Sequence, residues 1–484
     1  MALGAAAALA GGLAPGGVAT AASKTPGHRT QPLAWVSCHS AGTRCARLSV
    51  PLDYQHPEGR TITLAVTEMQ PSNPSPSDGV LIFNPGGPGE SGVQILPVLA
   101  ALVPPEIKSH FDLVSFDERG TGASERIECG PSPAVAASVD PIAMHPNSPL
   151  PAAIVFAGLA RSCLQNSPHL LATLTTANSA RDMDRIRQAL GVQKISYWGL
   201  SYGTVLGSLY AHLFPDRVRA MVLDGAVDAT LPLAQQASEE APAIAASLQH
   251  FFVTCAAEPT CPLGSDPAAS YGALSARLSA HPLPAPGHGD NAVVTVGDLD
   301  TATLFYLSVP EYAGTFPEAL SAAIAGNGVP LRSLSLDFEQ DLDGSSLVGP
   351  LWSITCNDAA SHLGPQAAGA LARSLDARYP PDGAYAVTYI LGGCVDWPHI
   401  TEPVTHLQNT GAPPLLVVGN TGDPNTPHQA AVQLAEAIGS ARLVTWDGWG
   451  HTWLLNGSND ACMQRLVSAY VVHLSLPPAG ITCS

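Results

Sequence analysis

The segment that most restricts the fold is a G-x-S-x-G pentapeptide set between two strongly patterned runs. Residues 194–198 read as a strand, Gly199-Leu200-Ser201-Tyr202-Gly203 follows without a spacer, and residues 204–212 read as a helix. A strand that turns straight into a helix needs a sharp, strained corner, and glycine on either side lets neighbouring backbone approach. A serine at that corner has its hydroxyl pushed clear of the main chain, and the helix N-terminus favours negative charge beside it. In a chain with 45 glycines the pentapeptide alone is a weak signal, and a structural Gly-Ser turn is the plain alternative. The flanking strand and helix give it weight.

The surrounding chain repeats the same rhythm. Further strands are expected at 46–50, 61–68, 79–83, 113–116 and 218–223, the later ones apolar on both faces as a buried parallel strand requires. Residues 181–190 carry Met183, Ile186 and Leu190 on one helical face and stop at Gly191. From about Ala229 to Thr401 the rhythm gives way to Ala-rich helical segments and a Pro- and Gly-rich stretch at 282–289. Strands then return at 414–418 and 442–446, with an amphipathic helix at 428–438 between them and a last helix at 460–473. The expected fold is α/β, with a mostly parallel central sheet and a large, mainly helical lid insertion. Its core falls in two parts, 38–228 and 402–484, with the insertion at 229–401.

Composition narrows the function classes. A net charge of -18 repels a phosphate backbone, so nucleic acid is not an expected partner. Residues 1–22 are uncharged and rich in Ala, Gly and Leu, with Ala19-Thr20-Ala21 as a small-x-small cleavage site, which reads as a signal peptide. No basic residue precedes this run, which points to a translation start upstream of Met1. Gly11, Gly12, Pro15, Gly16 and Gly17 interrupt it too often for a membrane span, and none is expected in the mature chain. Ten cysteines support export and a secreted protein. They fall as sequence neighbours: Cys38 and Cys45, Cys129 and Cys163, Cys255 and Cys261, Cys356 and Cys394, Cys462 and Cys483. Sequential pairing is the simplest choice, although spacing leaves connectivity open. No C-x-x-C occurs, so no metal site is expected.

The partners of a serine on such a corner follow in the order Ser, Asp, His. Asp423, in Asn420-Thr421-Gly422-Asp423-Pro424, lies just past one returning strand; His451, in Asp447-Gly448-Trp449-Gly450-His451, lies just past the other. Both fall on loops at the carboxyl edge of the sheet, where Ser201 also belongs. His451 would take the serine proton, and Asp423 would hold the imidazole tautomer. Asp396 and Asp447 rival Asp423 as the acid, and His428 rivals His451 as the base; His473 is expected on the outer face of the last helix. Acyl transfer also needs oxyanion donors. The run Asn84-Pro85-Gly86-Gly87-Pro88-Gly89-Glu90-Ser91-Gly92 follows a strand, and the amides of Gly87 and Tyr202 are the candidates. A phosphate-cradling loop is disfavoured because the P-loop lysine is absent.

These runs, with residues 116–124 (Phe-Asp-Glu-Arg-Gly-Thr-Gly-Ala-Ser), Tyr197 to Thr204 and Asp224-Gly225, resemble the exported tripeptidyl aminopeptidases. Those enzymes belong to the proline-iminopeptidase-like branch of α/β-hydrolases. The resemblance covers nearly the whole mature chain, including the cysteine spacing and Ile354-Thr355-Cys356-Asn357-Asp358; Pro85 stands where proline iminopeptidases carry histidine, which fits the tripeptidyl branch. It implies an α/β-hydrolase fold and a serine peptidase, without a cofactor, that releases tripeptides from free N-termini through an acyl-enzyme. The branch also holds esterases and amidases, so a carboxylesterase or amidase acting on small acyl substrates with the same triad is the alternative. A non-catalytic binding protein is disfavoured because every triad position is filled. An aminopeptidase must hold an ammonium group, and Glu90, Asp358 and Asp396 are candidates for it. Asp117 and Arg119 are expected to pair and brace a strand end. Nothing in the sequence indicates oligomeric state.

Overall fold

The computed structural model describes residues 32–38, 42–71, 78–129, 152–288, 292–339, 347–395, 397–398 and 402–484. The first strands in chain order are β1 (Val36–Ser37), β2 (Thr43–Pro51), β3 (Thr61–Met69), β4 (Val80–Asn84), β5 (Asp112–Phe116), β6 (Ile195–Leu200) and β7 (Val218–Asp224). A separate hairpin pairs β8 (Leu283–Pro284) with β9 (Val293–Val294). β10 (Leu416–Gly422), β11 (Arg442–Trp449) and β12 (Ile481–Cys483) complete a 10-stranded sheet of order β1-β2-β3-β5-β4-β6-β7-β10-β11-β12. Pairing is antiparallel from β1 through β3 to β5 and parallel from β5 to β12. The antiparallel edge follows from chain length, because the short β2–β3 link cannot make a crossover.

Both faces of the parallel strands are covered. Ile82, Tyr197, Leu223 and Val417 pack on one side with Met183, Ile186, Leu206 and Leu434 from helices Thr176–Ala189, Gly203–Leu213 and His428–Ile438. Leu81, Phe83, Trp198, Val222 and Val418 pack on the other with Leu96, Leu99, Val467 and Val471 from helices Gly92–Leu102 and Ala461–His473. The alternation along each strand is the period of two that a sheet buried on both faces imposes.

Chain order reverses at β4, which lies between β5 and β6. In an open parallel sheet such a switch point leaves a crevice at the carboxyl ends of the strands. The loops after β4 and β6 open there. From β7 the chain leaves the sheet and runs mainly through helices before rejoining it at β10, beside β7. These helices carry apolar clusters of their own, one around Phe252, Tyr271 and Phe316, another around Ile244, Ala372 and Tyr385.

Two local expectations are corrected. The helix expected at 181–190 begins at Thr176, where the Thr175 hydroxyl caps the Asn178 N–H. Arg119 does not pair with Asp117: its guanidinium grips buried Asp182 with two bonds of 2.7 Å. Asp117 is already occupied, accepting from Ser91 Oγ at 2.7 Å, Val93 N at 3.0 Å and Ala123 N at 2.6 Å. The segment read as a signal peptide lies outside the described residues, among which no helix is long and apolar enough to cross a membrane.

All ten cysteines are bonded, as Cys38–Cys45, Cys129–Cys163, Cys255–Cys261, Cys356–Cys394 and Cys462–Cys483. Asp460, Cys462 and Cys483 come together, but the bond consumes both sulfurs and leaves no thiolate for a metal. Thiol titration of the purified protein in denaturant without reductant is therefore expected to find no reactive thiol; several per chain would contradict these bridges.

Candidate active site

Ser201 sits at the corner between β6 and helix Gly203–Leu213 with φ 54°, the left-handed region that a side chain rarely adopts. The corner is held from both sides. Ser201 N donates to Asp224 O at 2.9 Å, and Thr204 donates to Ser201 O through N at 2.9 Å and Oγ1 at 2.7 Å. Its glycines answer to close approach: a Cβ on Gly199 would lie 2.2 Å from Gly203 O, and one on Gly203 would lie 2.7 Å from Asn84 O.

Asp423 follows β10 directly and is buried. Its Oδ1 accepts from Asn425 N at 2.9 Å and Thr426 N at 2.8 Å; its Oδ2 accepts from Thr426 Oγ1 at 2.8 Å and Thr452 N at 3.2 Å. Both oxygens lie 3.0 Å from His451 Nδ1. Burial pulls the imidazolium of His451 down, and the Asp423 charge and hydrogen bond outweigh it, leaving the pKa above the ordinary histidine value. With Nδ1 committed to Asp423, Nε2 is the nitrogen left for proton transfer.

The histidine loop is anchored on two further sides. His451 N donates to Ser308 O at 2.8 Å, at the end of helix Val296–Ser308. Asp224, at the end of β7, accepts from Trp453 N at 2.8 Å and Leu454 N at 2.9 Å. Burial pushes the Asp224 carboxyl up to about 6, against these two N–H groups.

Ser201 and His451 line one cavity of 330 Å³, with Gly87, Glu90, Phe305, Trp352 and Tyr389 among its walls. No hydrogen bond joins the serine hydroxyl to the histidine among the described residues. Such contacts often tighten only when substrate binds. A smaller cavity of 140 Å³ opens beside Ser201, lined by Gly87, Tyr202, Asp228, Glu239 and Glu240. Gly87 and Tyr202 thus border both the serine and this second space, and their N–H groups have no acceptor among the described residues.

The rivals stand elsewhere. Asp447 is exposed and accepts from Thr421 Oγ1 at 2.7 Å, while His428 Nε2 lies 2.8 Å from Thr445 Oγ1. His473 is exposed, 3.1 Å from Glu106. Of the carboxylates nominated for an ammonium group, Asp396 lies outside the described residues and Glu90 lines the larger cavity. Asp358 borders the smaller one, but Thr176 occupies its oxygens through N at 3.0 Å and 3.3 Å and through Oγ1 at 2.5 Å.

The sequence reading missed Glu240. It is buried on helix Leu233–Ala257, and neither carboxylate oxygen has a hydrogen-bond partner among the described residues. Burial, with the Asp423 charge adding to it, pushes its carboxyl well above the usual range. The available signal was periodicity: Ala237, Glu240, Ala241, Ile244 and Leu248 form the buried stripe of that helix, and a glutamate on such a stripe is costly unless something meets it.

Comparison with known proteins identifies the family. Residues 79–458 match the family model for the alpha/beta hydrolase fold. The chain is 31% identical to the serine protease Hip1 of Mycobacterium tuberculosis, over 94% of this chain and 91% of that protein. It is 32% identical to carboxylesterase B of the same organism, over 91% and 86%. It is 29% identical to the tripeptidyl aminopeptidase of Streptomyces coelicolor, over 91% and 83%.

Proposed function

The chain belongs to the α/β-hydrolase fold family, and we propose that it is a secreted serine aminopeptidase that releases short peptides, tripeptides among them, from free N-termini. Ser201 Oγ attacks the scissile carbonyl while His451 Nε2 takes its proton, and Asp423 stabilises the resulting imidazolium. The N–H groups of Gly87 and Tyr202 receive the oxyanion. Collapse of the tetrahedral intermediate passes the proton from His451 to the leaving amine. Water, activated by the same histidine, then hydrolyses the acyl-enzyme. The five disulfides and the apolar N-terminal run support an exported protein.

The observation that carries the aminopeptidase reading is Glu240. A buried carboxyl without a partner, facing a small chamber beside the nucleophile, fits a substrate that brings its own cation. The α-ammonium of a peptide N-terminus is such a group, and the lid helices would close over it. The apolar walls of the larger cavity, Ile95, Val98, Phe305 and Leu347 among them, favour a second reading, a carboxylesterase or amidase of small acyl compounds.

A paired assay separates the two. Acetylating the N-terminus of a good tripeptide anilide is expected to lower kcat/KM at least ~30-fold, which is about 2 kcal/mol. In Glu240→Gln the free peptide should lose most of that advantage, while the acetylated one changes little. Equal rates on both substrates with the wild-type protein would leave the esterase or amidase reading.

A further inference from the structure

We propose that Glu118 is a positioning residue that clamps the two walls of the oxyanion hole together. This inference rests on the reading of Ser201 as the nucleophile. Glu118 is buried two residues beyond the end of β5, in the Asp-Glu-Arg-Gly run whose aspartate and arginine are engaged elsewhere. Its carboxylate reaches in two directions. Oε1 accepts from Asn84 Nδ2 at 2.9 Å, and Oε2 accepts from the Tyr202 hydroxyl at 3.3 Å.

Each contact leads to one wall. Asn84 ends β4, and because its Nδ2 points at Glu118, its Oδ1 is turned to accept the Gly86 N–H at 3.1 Å. That bond fixes the peptide plane immediately before the one that carries the Gly87 N–H. Tyr202 supplies the other donor from its backbone. Its ring is held at the hydroxyl by Glu118 and by Thr176 Oγ1 at 2.6 Å. The walls also touch directly. Gly86 has φ 105°, and a Cβ there would lie 2.6 Å from Leu200 O and 2.9 Å from Ser201 Cβ. Their separation is thus set by contact, and what remains to be fixed is the orientation of the two donors. A single carboxylate bonded to both sides does this. Two oxygens on one rigid plane are the chemical reason for an acid here, since a hydroxyl could not reach both partners.

Oxyanion donors act on the transition state far more than on bound substrate, so the clamp should show itself in kcat. The probes are p-nitrophenyl butyrate as substrate and phenylboronic acid, which forms a tetrahedral adduct with a catalytic serine. In Glu118→Leu, kcat should fall roughly 30-fold with KM changed less than about threefold. The inhibition constant of the boronic acid should rise in proportion to the fall in kcat/KM. Glu118→Gln keeps one acceptor for Asn84 and offers Tyr202 a donor, and should restore kcat to within roughly fivefold of wild type. Tyr202→Phe removes a single hydroxyl and keeps the ring; it should lower kcat about fivefold, again in step with boronic acid affinity. A folded Glu118→Leu protein with unchanged kcat, or with the loss confined to KM, overturns the proposal. Should Glu118→Leu fail to fold, wild-type kcat and boronic acid affinity in Tyr202→Phe overturn it instead. Fluorophosphonate labelling tests the nucleophile separately: a wild-type protein that resists the reagent overturns both readings, whereas labelled protein with unaltered variants overturns the clamp alone.

Discussion

Ser201→Ala is expected to fold normally and to lose turnover by on the order of 10^6 in kcat. The two halves of this expectation have different physical origins. Stability is spared because the substitution keeps a Cβ at φ 54° and leaves untouched the bonds from Ser201 N to Asp224 O and from Thr204 to Ser201 O. The hydroxyl itself has no partner among the described residues, so its removal strands no buried group. Turnover is lost because the attacking oxygen is gone, and with every cysteine bonded no free thiol can take its place. Far-UV circular dichroism and a thermal melt should superimpose on wild type, while labelling by a fluorophosphonate disappears. Labelling that persists in the variant would move the nucleophile elsewhere.

The sequence made the sheet legible wherever a strand is buried on both faces and long enough to show a pattern. β4, β6, β7 and β10 are such strands, and Ser201 and Asp423 directly follow β6 and β10; His451 lies two residues past β11, which is only partly buried. β1 and β12, of 2 and 3 residues, are too short for any periodicity and are held by their neighbours, with Cys45 and Cys462 bonded to Cys38 and Cys483 at these edges. Long-range polar partners were not legible either. Asp117 stands only two positions from Arg119, yet the guanidinium turns to Asp182, 63 positions away, because backbone N–H groups and Ser91 already fill the aspartate. Asp358 is a candidate for the ammonium group as an acidic residue expected near the cleft; the fold gives its oxygens to Thr176. Glu240 shows the reverse case. Its helix is visible as an apolar stripe, but that the carboxylate meets no partner depends on what the fold brings around it.

Asp423→Asn is expected to lower kcat by about 10^4 with little change in KM, through the wrong histidine tautomer. The carboxylate now serves donors on every side: Asn425 N and Thr426 N at Oδ1, Thr426 Oγ1 and Thr452 N at Oδ2, and His451 Nδ1 at both. An asparagine can keep its oxygen at the Oδ1 position, where two backbone N–H groups require an acceptor. Its amide nitrogen then takes the Oδ2 position and presents hydrogens to Thr452 N, which cannot accept, and to His451. The imidazole answers by accepting at Nδ1 and carrying its proton on Nε2, the atom that must be bare to take the serine proton. The pH profile distinguishes this from simple disorder. In the wild-type protein Asp423 raises the His451 pKa, so kcat/KM should fall on acidification at a pH above the ordinary histidine value. Without the charge, that support is lost while burial continues to favour the neutral ring. The acidic limb of the residual activity should therefore move to lower pH in Asp423→Asn. A profile that keeps its acidic limb in place would show that His451 is not the titrating base.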